Sequence, residues 1–158
     1  MQLPPALQAA LDEALEATAP GALAASAEAL SRRYRSGSEG SGQSYLRTAI
    51  DAAAYAAYRL PATYAAAHAA LAQIRARRPD WRPLSLLDAG SGPGTLLWAA
   101  ADVWPSIERI TAIERDAGMA AIGRRLAAAS PDGALRSAHW MAADLAAGSS
   151  PIQTAAKR

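Results

Sequence analysis

An α/β fold is predicted: a helical N-terminal region followed by about three parallel strands that alternate with helices. Three observations predict it. First, an apolar run from Leu84 to Leu87 ends at Asp88, three glycines follow at alternate positions (Gly90, Gly92, Gly94), and an alanine-rich apolar stretch runs from Leu96 to Val103. That is strand, tight turn and helix. Second, two further strand-like runs follow, Arg109 to Glu114 and about Leu135 to Met141, with a helical stretch from Ala117 to Ala129 between them. Third, the segments before residue 83 repeat their apolar residues every three or four positions. The order strand–helix–strand–helix–strand implies a parallel sheet with right-handed crossovers.

The elements follow in chain order. Leu3, Leu7, Leu11 and Leu15 recur every fourth residue, with Asp12, Glu13 and Glu16 between them, which is one face of an amphipathic helix. Pro20-Gly21 breaks it. Leu23, Ala27, Leu30 and Tyr34 mark a second helix that closes in Arg32, Arg33 and Arg35, cations suited to a helix C-terminus. Residues 36–44 hold only Ser, Gly, Glu and Gln and read as a flexible linker. A third helix is expected from Tyr45 to Arg59, with Leu46, Ile50, Ala53, Ala57 and Leu60 as its stripe and an Arg47–Asp51 pair across one turn. Pro61 is expected to end it and to start a fourth helix, whose buried side is Tyr64, Ala67, Leu71 and Ile74. These boundaries divide the chain into N-terminal helices (1–35), linker (36–44), helical region (45–83) and a partial α/β domain (84–158).

Composition narrows the possibilities. The chain has 158 residues, 51% of them hydrophobic and most of those alanine, with no Phe. All basic residues but Lys157 are arginine, which with the alanine excess reads as coding bias. The net charge of +2 lies wholly before residue 84, and so small an imbalance does not by itself establish nucleic-acid binding. There is no cysteine, which excludes disulfides, thiolate metal sites and a cysteine nucleophile from this chain. The two histidines, His68 and His139, are isolated and give no metal-ligand spacing. The opening residues carry no basic segment before an apolar one, and no apolar run reaches membrane-spanning length. A cytoplasmic location with no membrane partner is the resulting expectation.

A glycine turn that feeds a helix N-terminus is an anion site, because backbone N–H groups and the helix dipole face the ligand. The dinucleotide pattern G-x-G-x-x-G/A would put its last position on Thr95, a poor match. The G-x-G-x-G spacing after Asp88 resembles the first motif of class I S-adenosylmethionine-dependent methyltransferases. Glu114 ends the second strand, 20 residues beyond Gly94. A carboxylate there can accept from both ribose hydroxyls. NAD enzymes place an acid similarly, so Glu114 alone does not choose the cofactor.

Further segments resemble one family: Tyr45-Leu46, Arg59-Leu-Pro-Ala-Thr-Tyr64, the glycine motif with Leu97-Trp98-Ala99, and Ile113-Glu114-Arg115. Together they are similar to the ribosomal small-subunit methyltransferase-like family, bacterial relatives of a mitochondrial small-subunit assembly factor, over roughly residues 40–145. The resemblance implies the first half, about three parallel strands, of a class I methyltransferase Rossmann-like sheet. It implies S-adenosylmethionine as cofactor and the small ribosomal subunit or its RNA as partner. It also implies roles: Gly90, Ser91, Gly92 and Gly94 for the methionine portion, Asp88 for the loop or the ligand amine, Glu114 for the ribose, Asp144 for the adenine. The alternative is a non-catalytic assembly or RNA-binding factor that keeps the fold, with Arg75, Arg77, Arg78 and Arg82 touching phosphate. The complete family sheet has further strands and a later cysteine cluster without counterpart here. The chain is therefore expected to be a truncated form, inactive alone, with no catalytic residue to name and with the first strand left as an open apolar edge. Tyr64, His68, Trp98 and His139 are expected to serve packing.

Overall fold

The structure, a computed structural model, describes residues 1–35 and 48–145. The expected linker 36–44, Tyr45-Leu46, Arg47 and the tail from residue 146 lie outside the described residues.

Helix α1 (Pro5–Leu15) and helix α2 (Pro20–Arg35) each begin at a proline, whose missing N–H is no loss at a first turn. Leu7 and Leu11 are buried and Leu3 and Leu15 partly so, as the fourfold spacing requires. Helix α3 is one continuous element, Ala49–Arg77, with Pro61 inside it. The expected stop at Pro61 does not occur. Leu60 and Tyr64 are both almost fully buried and flank Pro61, which points to solvent. Burial of one stripe on both sides of the proline outweighs the roughly 3 kcal/mol that an interior proline costs. The stripe also differs from expectation before Pro61, for Ile50 is exposed and Asp51, Ala52, Ala53, Ala54 and Ala56 are buried.

Strand β1 (Ser85–Ala89), helix α4 (Thr95–Val103), strand β2 (Arg109–Ile113), helix α5 (Ala117–Ala128), the short helix α6 (Gly133–Arg136) and strand β3 (His139–Met141) complete the chain. The three strands are parallel in the order β1-β2-β3, with Asp88 beside Ala112 and Ala112 beside Trp140. This is the predicted half-sheet. Residues 133–136, expected partly in the third strand, are helical because Asp132 accepts from the Leu135 amide at 3.0 Å and caps the turn.

One core joins helices and sheet. Leu7 and Leu11 of α1, Leu60 and Tyr64 of α3, Leu97 and Trp98 of α4, Ile110 and Ala112 of β2, and Leu126 of α5 belong to a single buried cluster. Alanines on α3 and α4 (Ala56, Ala99, Ala100) let these two helices approach closely. The partners Leu86, Ile110, Ala112 and Trp140 lie on the helix-covered side of the sheet. On the opposite side of β1, Ser85, Leu87 and Ala89 are exposed. The apolar run of β1 is covered on one face, and β1 has β2 as its sole neighbour among the described residues.

Polar contacts fix the helices. Asp51, buried on α3, receives both guanidinium nitrogens of Arg33 at 3.1 Å and the Ser26 hydroxyl, which ties α2 to α3. Tyr64 donates to Asp102 at 3.1 Å, and His68 Nε2 lies 2.9 Å from the same oxygen. Burial, then the Asp102 charge and hydrogen bond, push the Tyr64 hydroxyl pKa up. Tyr64, Trp98 and His68 thus serve packing as expected, with Asp102 as the unforeseen partner.

Candidate cofactor-binding site

The C-terminal ends of the parallel strands carry the site. Gly90, Gly92 and Gly94 all have positive φ (81°, 54° and 77°). A side chain at any of them is strained, which explains the alternate glycines without appeal to a ligand. The space beside them differs. A side chain would meet nothing within 4 Å at Gly90 or Gly92, whereas at Gly94 it would lie 3.1 Å from the Trp140 ring.

The loop amides are turned inward. Gly90 and Ser91 donate to the Ile113 carbonyl at 2.8 and 3.0 Å, and Gly94 donates to Ser91 O at 2.8 Å. The Ser91 hydroxyl is buried and also reaches Ile113 O. Gly92 donates to Glu114 Oε2 at 2.7 Å, and the other Glu114 oxygen accepts from Asp116 N at 2.7 Å. Glu114 therefore clamps the glycine loop to the turn before α5. The anion cradle is narrower than the glycine count implies: the amides of Thr95 and Leu96, at the start of α4, are the ones that these bonds leave free.

Asp88 is 8% exposed, and its Oδ2 atom is buried without a hydrogen-bond partner. Burial first, and the nearby Glu114 charge second, raise its pKa to about 6. A carboxylate in that state attracts a donor or a cation. Asp144 lies three residues beyond β3, is half-exposed, and its Oδ2 stands 3.5 Å from Arg115. The structure thus brings Asp88, the glycine loop and Glu114 together, and holds Asp144 near the same strand ends through Arg115.

Sequence reasoning missed Asp116 and Trp140. Asp116 caps α5, accepting from Met119 N at 2.9 Å, and its own amide completes the Glu114 clamp. An aspartate immediately before an apolar helical run was the available signal. Trp140 fills the space between Gly94 and Gly123 and lies under Arg124, 5.8 Å from the ring centre. Among the four arginines near the end of α3, Arg75 donates to Val103 O at 2.5 Å and Arg82 bonds the Pro79 and Trp81 carbonyls. Two of the four therefore cap backbone. Among the described residues no group of three or more His, Asp and Glu could hold a metal ion, and no helix is long and apolar enough to cross a membrane.

The model of the family described as mitochondrial small ribosomal subunit Rsm22 matches residues 49–149. The chain belongs to this family. The Rsm22 match begins at the first residue of α3 and takes in the whole sheet and the glycine loop. A human protein described as ribosome assembly protein METTL17, mitochondrial, is 38% identical over 73 residues, which cover 46% of this chain. The match spans 16% of that relative's length.

Proposed function

We propose that this Rsm22-family chain binds S-adenosylmethionine through the glycine loop and acts, as a methyltransferase-like protein, on the small ribosomal subunit or its RNA. One observation carries the cofactor reading. A buried carboxylate without a partner, Asp88, and an acid at the next strand end, Glu114, flank a glycine loop open at Gly90 and Gly92. The residues fit a ligand with a cationic amine and a ribose. Asp88 would hold the ammonium, the Thr95 and Leu96 amides the carboxylate, Glu114 the ribose hydroxyls and Asp144 the adenine. Bound there, the cofactor would supply an electrophilic methyl group. The chain's own contribution is to orient it, since alignment of acceptor and methyl donor supplies most of such catalysis. The ribosomal part of the reading is supported by the family description and by the relative's name.

A second reading keeps the fold and the ligand but not methyl transfer. The human relative's name, a ribosome assembly protein, favours it.

Isothermal titration with S-adenosylhomocysteine tests the cofactor assignment. The chain is expected to bind it in preference to NAD. Glu114→Ala is expected to weaken binding by about 1.5–3 kcal/mol, the range for hydrogen bonds to a charged group. The same change frees the Gly92 and Asp116 amides, so hydrogen exchange at both should rise. Selective binding of NAD, or an unchanged affinity in Glu114→Ala, would reject the assignment.

A further inference from the structure

Helices α2 and α3 enclose a cleft of about 570 Å³ whose lining includes Leu30, Ser31 and Arg35 of α2 and Tyr55, Tyr58 and Arg59 of α3. Among the described residues no carboxylate lines it. Tyr58 is 55% exposed, and neither Arg35 nor Arg59 has an ion-pair partner among the described residues. The nearby acid on α3, Asp51, is already engaged by Arg33, and Glu28 on α2 by Arg32. Two tyrosine rings beside two arginines, with no acid among the described lining residues, combine an aromatic face with positive charge. That pairing suits a base and its phosphates.

The position matters as much as the chemistry. Ala52 of α3 lies against Gly118 in the first turn of α5, beside the Glu114 clamp. At 1.5 Å per residue, Tyr55 and Tyr58 stand about 4.5 and 9 Å further along α3. The cleft therefore shares the cofactor-loop end of the molecule. The arginines from Arg75 to Arg82 precede β1 and lie at the other end of a five-residue strand, about 16 Å from the glycine loop. Of these two arginine-bearing surfaces, the cleft lies nearer the loop along the axis of α3.

We propose that the α2–α3 cleft is a single-stranded RNA site in which Tyr55 and Tyr58 stack a base and Arg35 and Arg59 pair with the flanking phosphates. This rests on the reading of ribosomal RNA as partner and adds the surface that contacts it. Half of the site, on α2, precedes the segment that defines the family.

The test is fluorescence anisotropy of a labelled 12-nucleotide oligoadenylate RNA against the full chain across a salt series. Tyr58→Ala is expected to weaken binding about tenfold, and Tyr58→Phe, which keeps the aromatic face, to bind within about twofold of the parent. Arg35→Gln with Arg59→Gln should flatten the slope of log affinity against log salt by about 1.4, at about 0.7 per lost phosphate contact. Arg77→Gln with Arg78→Gln should change affinity less than the cleft variants. Matching thermal transitions confirm that each variant is folded, as the exposure of these side chains allows. If the parent binds RNA and the cleft variants bind equally well, or if the Arg77 and Arg78 pair carries the affinity, the cleft assignment is wrong while the RNA reading stands. If the parent binds no RNA, or binds an acidic polyglutamate peptide in its place, both fall.

Discussion

Replacing Asp88 by Asn is expected to stabilise the folded chain by about 2–3 kcal/mol at pH 8 and by only about 0.5 kcal/mol at pH 4. The Asp88 pKa stands near 6 in the fold against 3.8 for the unperturbed group, and burial is the main cause, with Glu114 adding to it. The sign follows from the direction. Below about pH 3 the carboxyl is protonated in both the folded and the unfolded chain, so burial penalises neither. Between pH 4 and 6 the unfolded chain ionises first, and folding must then take up a proton or bury a charge. The penalty grows through that window and is complete above it. Asn keeps the shape and removes the charge. Urea denaturation at pH 4, 6 and 8 reads the difference. A stabilisation that does not vary with pH, or a loss of stability at pH 8, would show that Asp88 is not held back by its own burial. The same variant should bind S-adenosylhomocysteine less tightly than the parent, because the ligand amine loses its counter-charge. Stability gained and binding lost in one substitution is the pattern of a group kept strained for function.

Gly123→Ala is expected to destabilise the chain, against its helix propensity. In the interior of a helix such as α5, alanine would ordinarily gain about 1 kcal/mol over glycine. Here the added methyl would sit 2.1 Å from Cη2 of Trp140, and 2.8 and 2.9 Å from Cζ3 and Cζ2. The indole cannot retreat freely, because the same Cη2 corner is wedged between the two glycines, 3.1 Å from where a Gly94 side chain would begin. A loss of about 1–3 kcal/mol is expected, the range for overpacking. The displaced ring presses on the glycine loop, so ligand binding should weaken too. The double variant Gly123→Ala, Trp140→Leu should recover much of the lost stability relative to Trp140→Leu alone, and a double-mutant cycle by thermal unfolding measures that coupling. Strict additivity of the two changes would refute the contact.

Local features were legible in the sequence. Gly90, Gly92 and Gly94 announce a turn because only glycine tolerates three positive φ values in five residues. The apolar runs around Leu86 and Ile110 announce strands, and their order with α4 and α5 announces parallel pairing. What escaped depends on contacts made at a distance. Pro61 reads as a stop until Leu60 and Tyr64 are seen buried on both sides of it. Asp102 has no visible role until α3 brings Tyr64 and His68 to it. Likewise, Glu114 reads as a free carboxylate at a strand end. Its two oxygens are in fact taken by Gly92 and Asp116, a pairing that spacing alone does not reveal. The site's position was therefore readable, but the state of its groups was not. Asp88 reads as the polar end of an apolar run and proves to be a buried carboxylate with one oxygen unpartnered.

The loop from Gly90 to Gly94, with Asp88 and Glu114, is the proposed S-adenosylmethionine site. Amide NMR spectra of the chain, titrated with S-adenosylhomocysteine, test it residue by residue. Saturable shifts are expected only at the amides of Gly90 to Leu96 and Glu114 to Asp116, with no saturable shifts there on addition of NAD. Shifts that fall elsewhere, or a loop that responds to NAD and not to S-adenosylhomocysteine, would contradict it.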